Sequence, residues 1–250
     1  MPENYVRFNE YEDVLASTEL LATVFNLKNK SALWKWTILA AHNGAQGALV
    51  CAIKDTSGTN ILDKRSAIAM LGWFEKPDED QPRQHLDRFV VLLKKYRKKY
   101  PVPSLPNQQI KNLCKLNNEF RNNFVHFIPQ GWGIDEAIFP PLIESALDLI
   151  EAAMKQHQVE IHLNDDMRRR LDTDLAAARS GLAALGNGCP ATLTAGGPGA
   201  YPHQFERSLA PVFHHPVHVF VRVVETEIVV GRRLTTVIEH HPDLLAVLDL

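Results

Sequence analysis

Apolar residues recur every three or four positions through most of the first 157 residues of this 250-residue chain, which is the period of α-helices packed on a core. Residues 32–53 form one long apolar stretch, and residues 84–99 and 108–127 each carry an apolar stripe. The stripes consist of Leu86, Phe89, Val90 and Leu93 in the first range, and of Ile110, Leu113, Cys114, Phe120, Phe124 and Phe127 in the second. The pattern predicts three core-facing helices.

Two further helices are predicted after these. Pro140 and Pro141 fit the first turn of a helix, where no backbone N–H is needed, and apolar residues recur behind them through 142–153. A second helical pattern over 163–185 closes at Gly186, which is a typical helix-stop residue. Beyond a Pro/Gly-rich segment, an alternation of apolar residues favours one or two β-strands at 217–231.

The composition of the chain changes near Lys155. Thirteen lysines and six arginines occur up to this residue, whereas no lysine and eight arginines follow it. A small appended domain would give this change, and so would a tail with a different translational history, such as a fusion or a shifted reading frame. We predict a mainly α protein with a helical domain at 11–157, an additional helix at 163–187, and a C-terminal extension of low order with some β-strand at 188–250.

The bulk composition limits the classes of function. The formal net charge is −2, so no global basic field draws the chain to nucleic acid, and any RNA contact must be local. The N-terminus lacks the basic start and apolar run of a signal peptide, and no stretch has the length of a membrane span. Three cysteines without disulfide or metal-site spacing indicate reduced thiols. We expect a cytoplasmic protein that does not enter a membrane.

The most distinctive chemistry lies in the helix predicted at 108–127, where Asn122 follows Arg121 directly and His126 comes after four residues. Histidine suits proton transfer because its unperturbed pKa is about 6.5, and arginine can hold two phosphate oxygens. At about 100° per residue, Arg121 and His126 project roughly 140° apart, whereas Asn122 and His126 share a face. One helix therefore does not aim Arg121 and His126 at one atom, but two copies meeting across a twofold axis would place both types round one cleft.

This segment resembles the R-x(4–6)-H signature of the HEPN superfamily, small helical domains that are often metal-independent ribonucleases. The resemblance covers residues 11–157 and implies a HEPN-like helical bundle with a composite site at a homodimer interface. Arg121 would hold phosphate, Asn122 would orient it, and His126 would transfer protons. The resemblance implies a metal-independent endoribonuclease, of the kind found in toxin–antitoxin or antiviral defence systems, with RNA as substrate and a nucleotidyltransferase-like antitoxin as partner. The alternative is a non-catalytic HEPN-type dimerisation or binding module.

A second group of polar residues lies on the apolar stretch at 32–53. His42, Asn43 and Gln46 are spaced so that they fall on one side of a helix, where buried polar groups must find hydrogen-bond partners. The pattern favours a polar layer between packed helices. The functional alternative is that this helix lines the cleft and supports the segment with Arg121 and His126.

Five cations end the helix predicted at 84–99, namely Lys94, Lys95, Arg97, Lys98 and Lys99. Cations near a helix C-terminus are stabilised by the helix dipole, so the pattern favours a solvated helix end. The functional alternative is a local track for RNA phosphates. A His-rich stretch at 214–218 lacks zinc-site spacing, and we expect neither a metal nor a cofactor.

Overall fold

The computed structural model describes residues 9–101, 105–126 and 133–187, and these residues form a bundle of helices. The helices are α1 (Glu10–Val24), α2 (Lys30–Ile53), α3 (Lys64–Phe74), α4 (Phe89–Lys99), α5 (Asn107–Lys115), α6 (Asn122–Val125), α7 (Phe139–Met154), α8 (His157–Glu160) and α9 (Asp165–Asn187). A π-helical turn, Leu116–Arg121, joins α5 directly to α6, and short 3-10 turns lie at Thr59–Ile61 and Glu136–Ile138. The mainly α class is confirmed.

Helix starts follow local sequence signals. Asn9 caps α1 by accepting hydrogen bonds from the N–H groups of Tyr11 and Glu12, at 3.0 and 2.9 Å. Asn29 caps α2 and Asp63 caps α3 in the same way. These side chains satisfy backbone donors that the first helical turn leaves unpaired. Prolines stand in the first turn of α7, as the sequence predicts.

Helix α2 is the centre of the bundle, with α1, α7, α4 and the π turn packed round it. Two glycines permit this close packing. A Cβ atom on Gly44 would lie 2.9 Å from Ile150 Cδ1 on α7, and one on Gly47 would lie 2.8 Å from Val14 Cγ2 on α1. Both distances are too short for carbon atoms, so the small residues set how near the neighbouring helices lie to α2.

Helix α9 packs along α1 and α7 through Leu171, Leu175, Ala178 and Leu182, which are all buried. Arg179 fastens it to α7. The Arg179 guanidinium lies 2.9 Å from both Asp148 and Glu151, and it also pairs with Glu144. The helix predicted at 163–187 therefore belongs to the same compact unit as the helices before it.

The segment before α4 differs from the sequence prediction. The pattern places a helix at 84–99, but the helix begins at Phe89 and Leu86 forms an isolated bridge with Leu62. Leu86 is exposed, because residues 81–87 run back along α3 instead of facing the core. This bridge is the only β-type pairing in the part of the chain that the structure describes, and the strands predicted at 217–231 lie outside that part. None of the described helices is both long enough and apolar enough to span a bilayer.

Candidate active site

Arg121 ends the π turn, and the turn is anchored by two apolar side chains. Leu116 and Phe120 are buried, and Phe120 meets Phe139 edge to face with ring centroids 5.2 Å apart. The N–H of Asn122 donates to the carbonyl oxygen of Asn117, five residues back, which widens the helix here. Such π-helical turns are rare and occur frequently at functional sites.

The guanidinium of Arg121 is held by its neighbour. Arg121 Nη1 donates to Asn122 Oδ1 at 3.1 Å, and both side chains are half-buried. The asparagine carbonyl accepts from one N–H of the guanidinium, and no other hydrogen bond of the Arg121 side chain lies among the described residues. An arginine fixed in this way loses less rotational freedom when it binds an oxyanion.

His126 is the first residue after α6. Its N–H donates to the carbonyl oxygen of Asn122 at 2.9 Å, so the two residues are one helical turn apart, as the spacing predicts. Its backbone torsions, φ −104° and ψ 57°, are no longer helical, and its side chain is exposed. Within the described residues, no hydrogen bond joins the imidazole of His126 to the side chain of Arg121 or Asn122.

His42 lies behind this segment, buried on α2. Its Nε2 is 2.9 Å from Asn117 Oδ1, and its ring is 4.9 Å from the ring of Phe89. Because Asn117 Nδ2 donates to Asn118 Oδ1, the oxygen of Asn117 faces the imidazole and Nε2 carries the proton. Nδ1 has no hydrogen-bond partner among the described residues.

Burial lowers the pKa of His42, the hydrogen bond with Asn117 opposes that shift, and the charge of Arg121 lowers the pKa further. His42 is therefore neutral near neutral pH, and its electrostatic environment includes Arg121. Asn43 is close enough to influence this pKa but does not have hydrogen-bond geometry with Nδ1, and its side chain is exposed. Gln46 is half-buried, one turn further along α2.

Asn117 is a residue of this site that the sequence analysis did not single out. It connects His42 to the turn that ends at Arg121. The available signal was its spacing, since Asn117 precedes Arg121 by four residues. That spacing places two residues on one face of an α-helix, but it does not predict a π turn or the contact with α2.

The five cations of α4 divide into two groups. Lys95 Nζ lies 2.9 Å from Asp87 Oδ2 and donates to the carbonyl oxygen of Asn60 at 2.8 Å. Lys99 Nζ donates to the carbonyl oxygen of Ala52 at 3.1 Å, and burial lowers its pKa. These two lysines thus bind the end of α2 and the turn after it, where backbone carbonyls lack helical partners.

Lys94, Arg97 and Lys98 form the second group: their side chains are exposed and have no hydrogen bond or ion pair among the described residues. The structure does not bring this group to Arg121. Phe89, which contacts His42, begins α4, and Lys98 lies about 14 Å further along the helix axis. An RNA strand reaching from Arg121 to Lys98 would have to run along the length of α4.

No protein-family model, curated protein or solved structure matches this chain. The chemistry of the site therefore has to be argued from its own residues. Among the described residues there is no group of three or more histidine, cysteine, aspartate or glutamate side chains that could hold a metal ion. The histidines at 214–218 lie outside these residues.

Proposed function

We propose that this chain is a metal-independent endoribonuclease of the HEPN type, which acts as a homodimer with a composite site of Arg121 and His126. One observation carries the proposal: a solvent-exposed imidazole lies just beyond one helical turn from an arginine that its neighbouring asparagine already orients. A purely structural histidine would be expected to pack on, or pair with, neighbouring side chains of the bundle.

Each group has a defined task in the proposed reaction. A histidine removes the proton from the ribose 2′-hydroxyl, and the 2′-oxygen attacks the adjacent phosphorus. The bond from phosphorus to the 5′-oxygen breaks, and the leaving oxygen takes a proton from a second imidazole. The products are a 2′,3′-cyclic phosphate and a 5′-hydroxyl. Arg121 stabilises the charge that develops on the phosphoryl oxygens.

A second copy supplies what one protomer lacks. Each protomer offers one exposed histidine at this site, and in an ideal α-helix its position projects about 140° away from that of Arg121. A twofold pairing of the segments at Arg121–His126 brings two arginines and two histidines round one phosphate, so that one imidazole acts as base and the other as acid. His42 and Asn117 support this arrangement by bonding the π turn to the central helix.

RNA cleavage also suggests where the protein acts. We propose a cytoplasmic role in toxin–antitoxin or antiviral defence, with a nucleotidyltransferase-like antitoxin as the neutralising partner. The small number of free cations on α4 suits a substrate that is held mainly at the cleft instead of along an extended basic track.

The same distribution of cations favours a second candidate, a non-catalytic HEPN-type dimerisation or binding module. The net charge is −2, and two of the five α4 cations are held by hydrogen bonds to other parts of the bundle. Electrostatic attraction for RNA is therefore weak. The two candidates differ in their products. Incubation of end-labelled RNA with the purified chain in EDTA should yield fragments that end in a 2′,3′-cyclic phosphate, and RNA that stays intact would support the binding module.

A further inference from the structure

The outer side of α3 is an apolar surface that no other part of the described structure covers. Ile68 and Leu71 are 61% and 54% exposed, the largest exposed fractions of apolar side chains on this helix. The opposite side of α3 is anchored, because Ser66 and Met70 are buried and Ser66 Oγ accepts from the N–H of His85 at 3.0 Å. The exposed residues therefore stand on a fixed support.

Five residues recur at three and four positions on this outer side, which we call the α3 outer face: Arg65, Ile68, Leu71, Gly72 and Glu75. All five are exposed. The face has a basic end, an apolar middle and an acidic end. Arg65 and Glu75 are not in ion pairs within the part of the chain that the structure describes.

Gly72 packs against none of the described residues. A Cβ atom added to it would meet none of their atoms within 4 Å. Glycine is unfavourable inside a helix compared with alanine, and at Gly44 and Gly47 the neighbouring helices explain its presence. At Gly72 the described structure offers no such neighbour, so the position suits a backbone or side chain that approaches from outside the protomer.

We propose that the α3 outer face pairs with the same face of a second copy of this chain. The two α3 helices run antiparallel, and the twofold axis crosses the outer face at the level of position 70 along the helix. Antiparallel pairing places Arg65 of each copy opposite Glu75 of the other, because both residues are five positions from the axis. Ile68 of each copy then lies opposite Gly72 of the other, and the two Leu71 side chains meet beside the axis. The charges and the side-chain sizes are thus both complementary.

A lipid surface suits this face less well. Glu75 is followed by Asp78, Glu79 and Asp80, and acidic residues beside an apolar helix face are repelled by anionic lipids. The same acidic residues favour a second copy. In the antiparallel pairing, Lys64 and Arg65 of that copy lie beside this acidic end of the helix and are attracted to it.

The α3 pairing is independent of the proposed nuclease function. A chain with twofold contacts at both Arg121 and α3 assembles beyond a dimer, whereas α3 alone gives a dimer. A face of one short helix is a small interface, so we expect a dissociation constant in the micromolar range, on the order of 1–100 µM.

The test is sedimentation velocity on the full chain at concentrations up to about 200 µM, which is above the upper end of that range. Ile68→Glu should weaken association about thirtyfold or more, as loss of a central apolar contact does. Ile161→Glu is the matched control, because Ile161 is 63% exposed and lies on a different helix end. Equal association of the two variants, or a wild-type chain that stays monomeric, would overturn the pairing.

A charge exchange tests the antiparallel register. Arg65→Glu alone and Glu75→Arg alone each place like charges at both ends of the interface, so each should associate about tenfold more weakly than wild type. Mixed together they restore opposite charges at both ends, and the mixture should associate as wild type does. If the mixture associates no more strongly than either variant alone, the antiparallel register is wrong. If the wild-type chain binds anionic vesicles and does not self-associate, a lipid surface and not a second copy covers the α3 outer face. RNA cleavage that persists in Ile68→Glu separates this result from the fate of the nuclease proposal.

Discussion

His42 Nε2 lies 2.9 Å from Asn117 Oδ1, and this contact bonds the middle of the central helix to the turn that ends at Arg121. Residues 75 positions apart in the chain thus fix one another at the candidate active site. The contact also explains how a π-helical turn can persist, since a buried imidazole provides a partner for a side chain that the wider turn directs at α2.

Replacement of His126 should abolish RNA cleavage and leave the fold intact. Because the side chain of His126 is exposed, His126→Ala should leave the thermal midpoint unchanged. Loss of a proton-transfer group should lower the cleavage rate by about two to four powers of ten. Initial rates on end-labelled RNA in EDTA measure the effect.

His157→Ala is the matched control for this experiment, because His157 is also exposed and belongs to α8. It should cleave at the wild-type rate. Undiminished cleavage by purified His126→Ala would exclude His126 from the reaction.

The composite site predicts a change in activity when protomers are mixed. A heterodimer of Arg121→Ala and His126→Ala keeps one arginine and one histidine at the composite site. Each homodimer instead lacks both arginines or both histidines. The cleavage rate of the heterodimer should differ from that of either homodimer, because the two groups that remain come from different chains. Co-refolded mixtures and their parent homodimers are compared at equal total protein. Full activity of a strictly monomeric wild-type chain in light scattering would rule out the shared cleft.

The free energy of unfolding should depend on pH through His42. Burial lowers the pKa of His42 in the folded protein, whereas in the unfolded chain the pKa is about 6.5. Below pH 6.5 the unfolded state therefore binds more protons than the folded state. As the pH is lowered from 6.5, the free energy of unfolding should decrease by up to about 1.4 kcal/mol per pH unit. Urea unfolding of wild type and His42→Gln between pH 7.5 and 5 tests this, because the variant should lack that part of the slope. An identical slope in both proteins would show that His42 does not titrate on unfolding.

The cations of α4 should separate into structural and surface groups. Lys99→Met should destabilise the fold by about 1 kcal/mol, because it removes the ammonium that donates to the last carbonyls of α2. Lys98→Met should change stability by less than about 0.5 kcal/mol, because the ammonium of Lys98 has no hydrogen bond or ion pair among the described residues. If α4 guides RNA, Lys98→Met should instead weaken binding of labelled RNA and reduce its salt dependence. Equal destabilisation by the two substitutions would contradict the division.

A chain that ends at Asn187 should retain the thermal midpoint of the full chain. The buried residues of α9 and its Arg179 ion pairs all precede that position, so the truncation removes none of the described contacts between α9 and the bundle. A chain that ends at His162 is the matched comparison and should unfold at lower temperature, since it exposes the faces of α1 and α7 that α9 covers. Scanning calorimetry measures both. If the chain that ends at Asn187 fails to fold, the domain boundary lies after residue 187.

The helices could be predicted from the sequence because helix formation depends on local signals. The apolar period, the prolines before Leu142 and the glycine near the end of α9 predicted the helical class and, closely, the bounds of α2, α7 and α9, whereas α1, α3 and α8 were not predicted as separate helices. The prediction was wrong at Leu86, since an apolar residue at helical spacing can equally lie in an extended segment that returns along a neighbouring helix. The apolar period alone does not distinguish a helix from such an extended segment.

The candidate site shows the same division between local and tertiary information. The sequence by itself determined that Asn122 and His126 are one turn apart, because the geometry of an α-helix depends on covalent structure and local hydrogen bonds. Only the tertiary structure decided that Asn117 contacts His42, that the turn before Arg121 is π-helical, and that Lys95 bonds to Asn60 while Lys99 bonds to the end of α2. Each of these depends on which side chains from distant positions fill the same space, and packing of that kind has no period in the sequence.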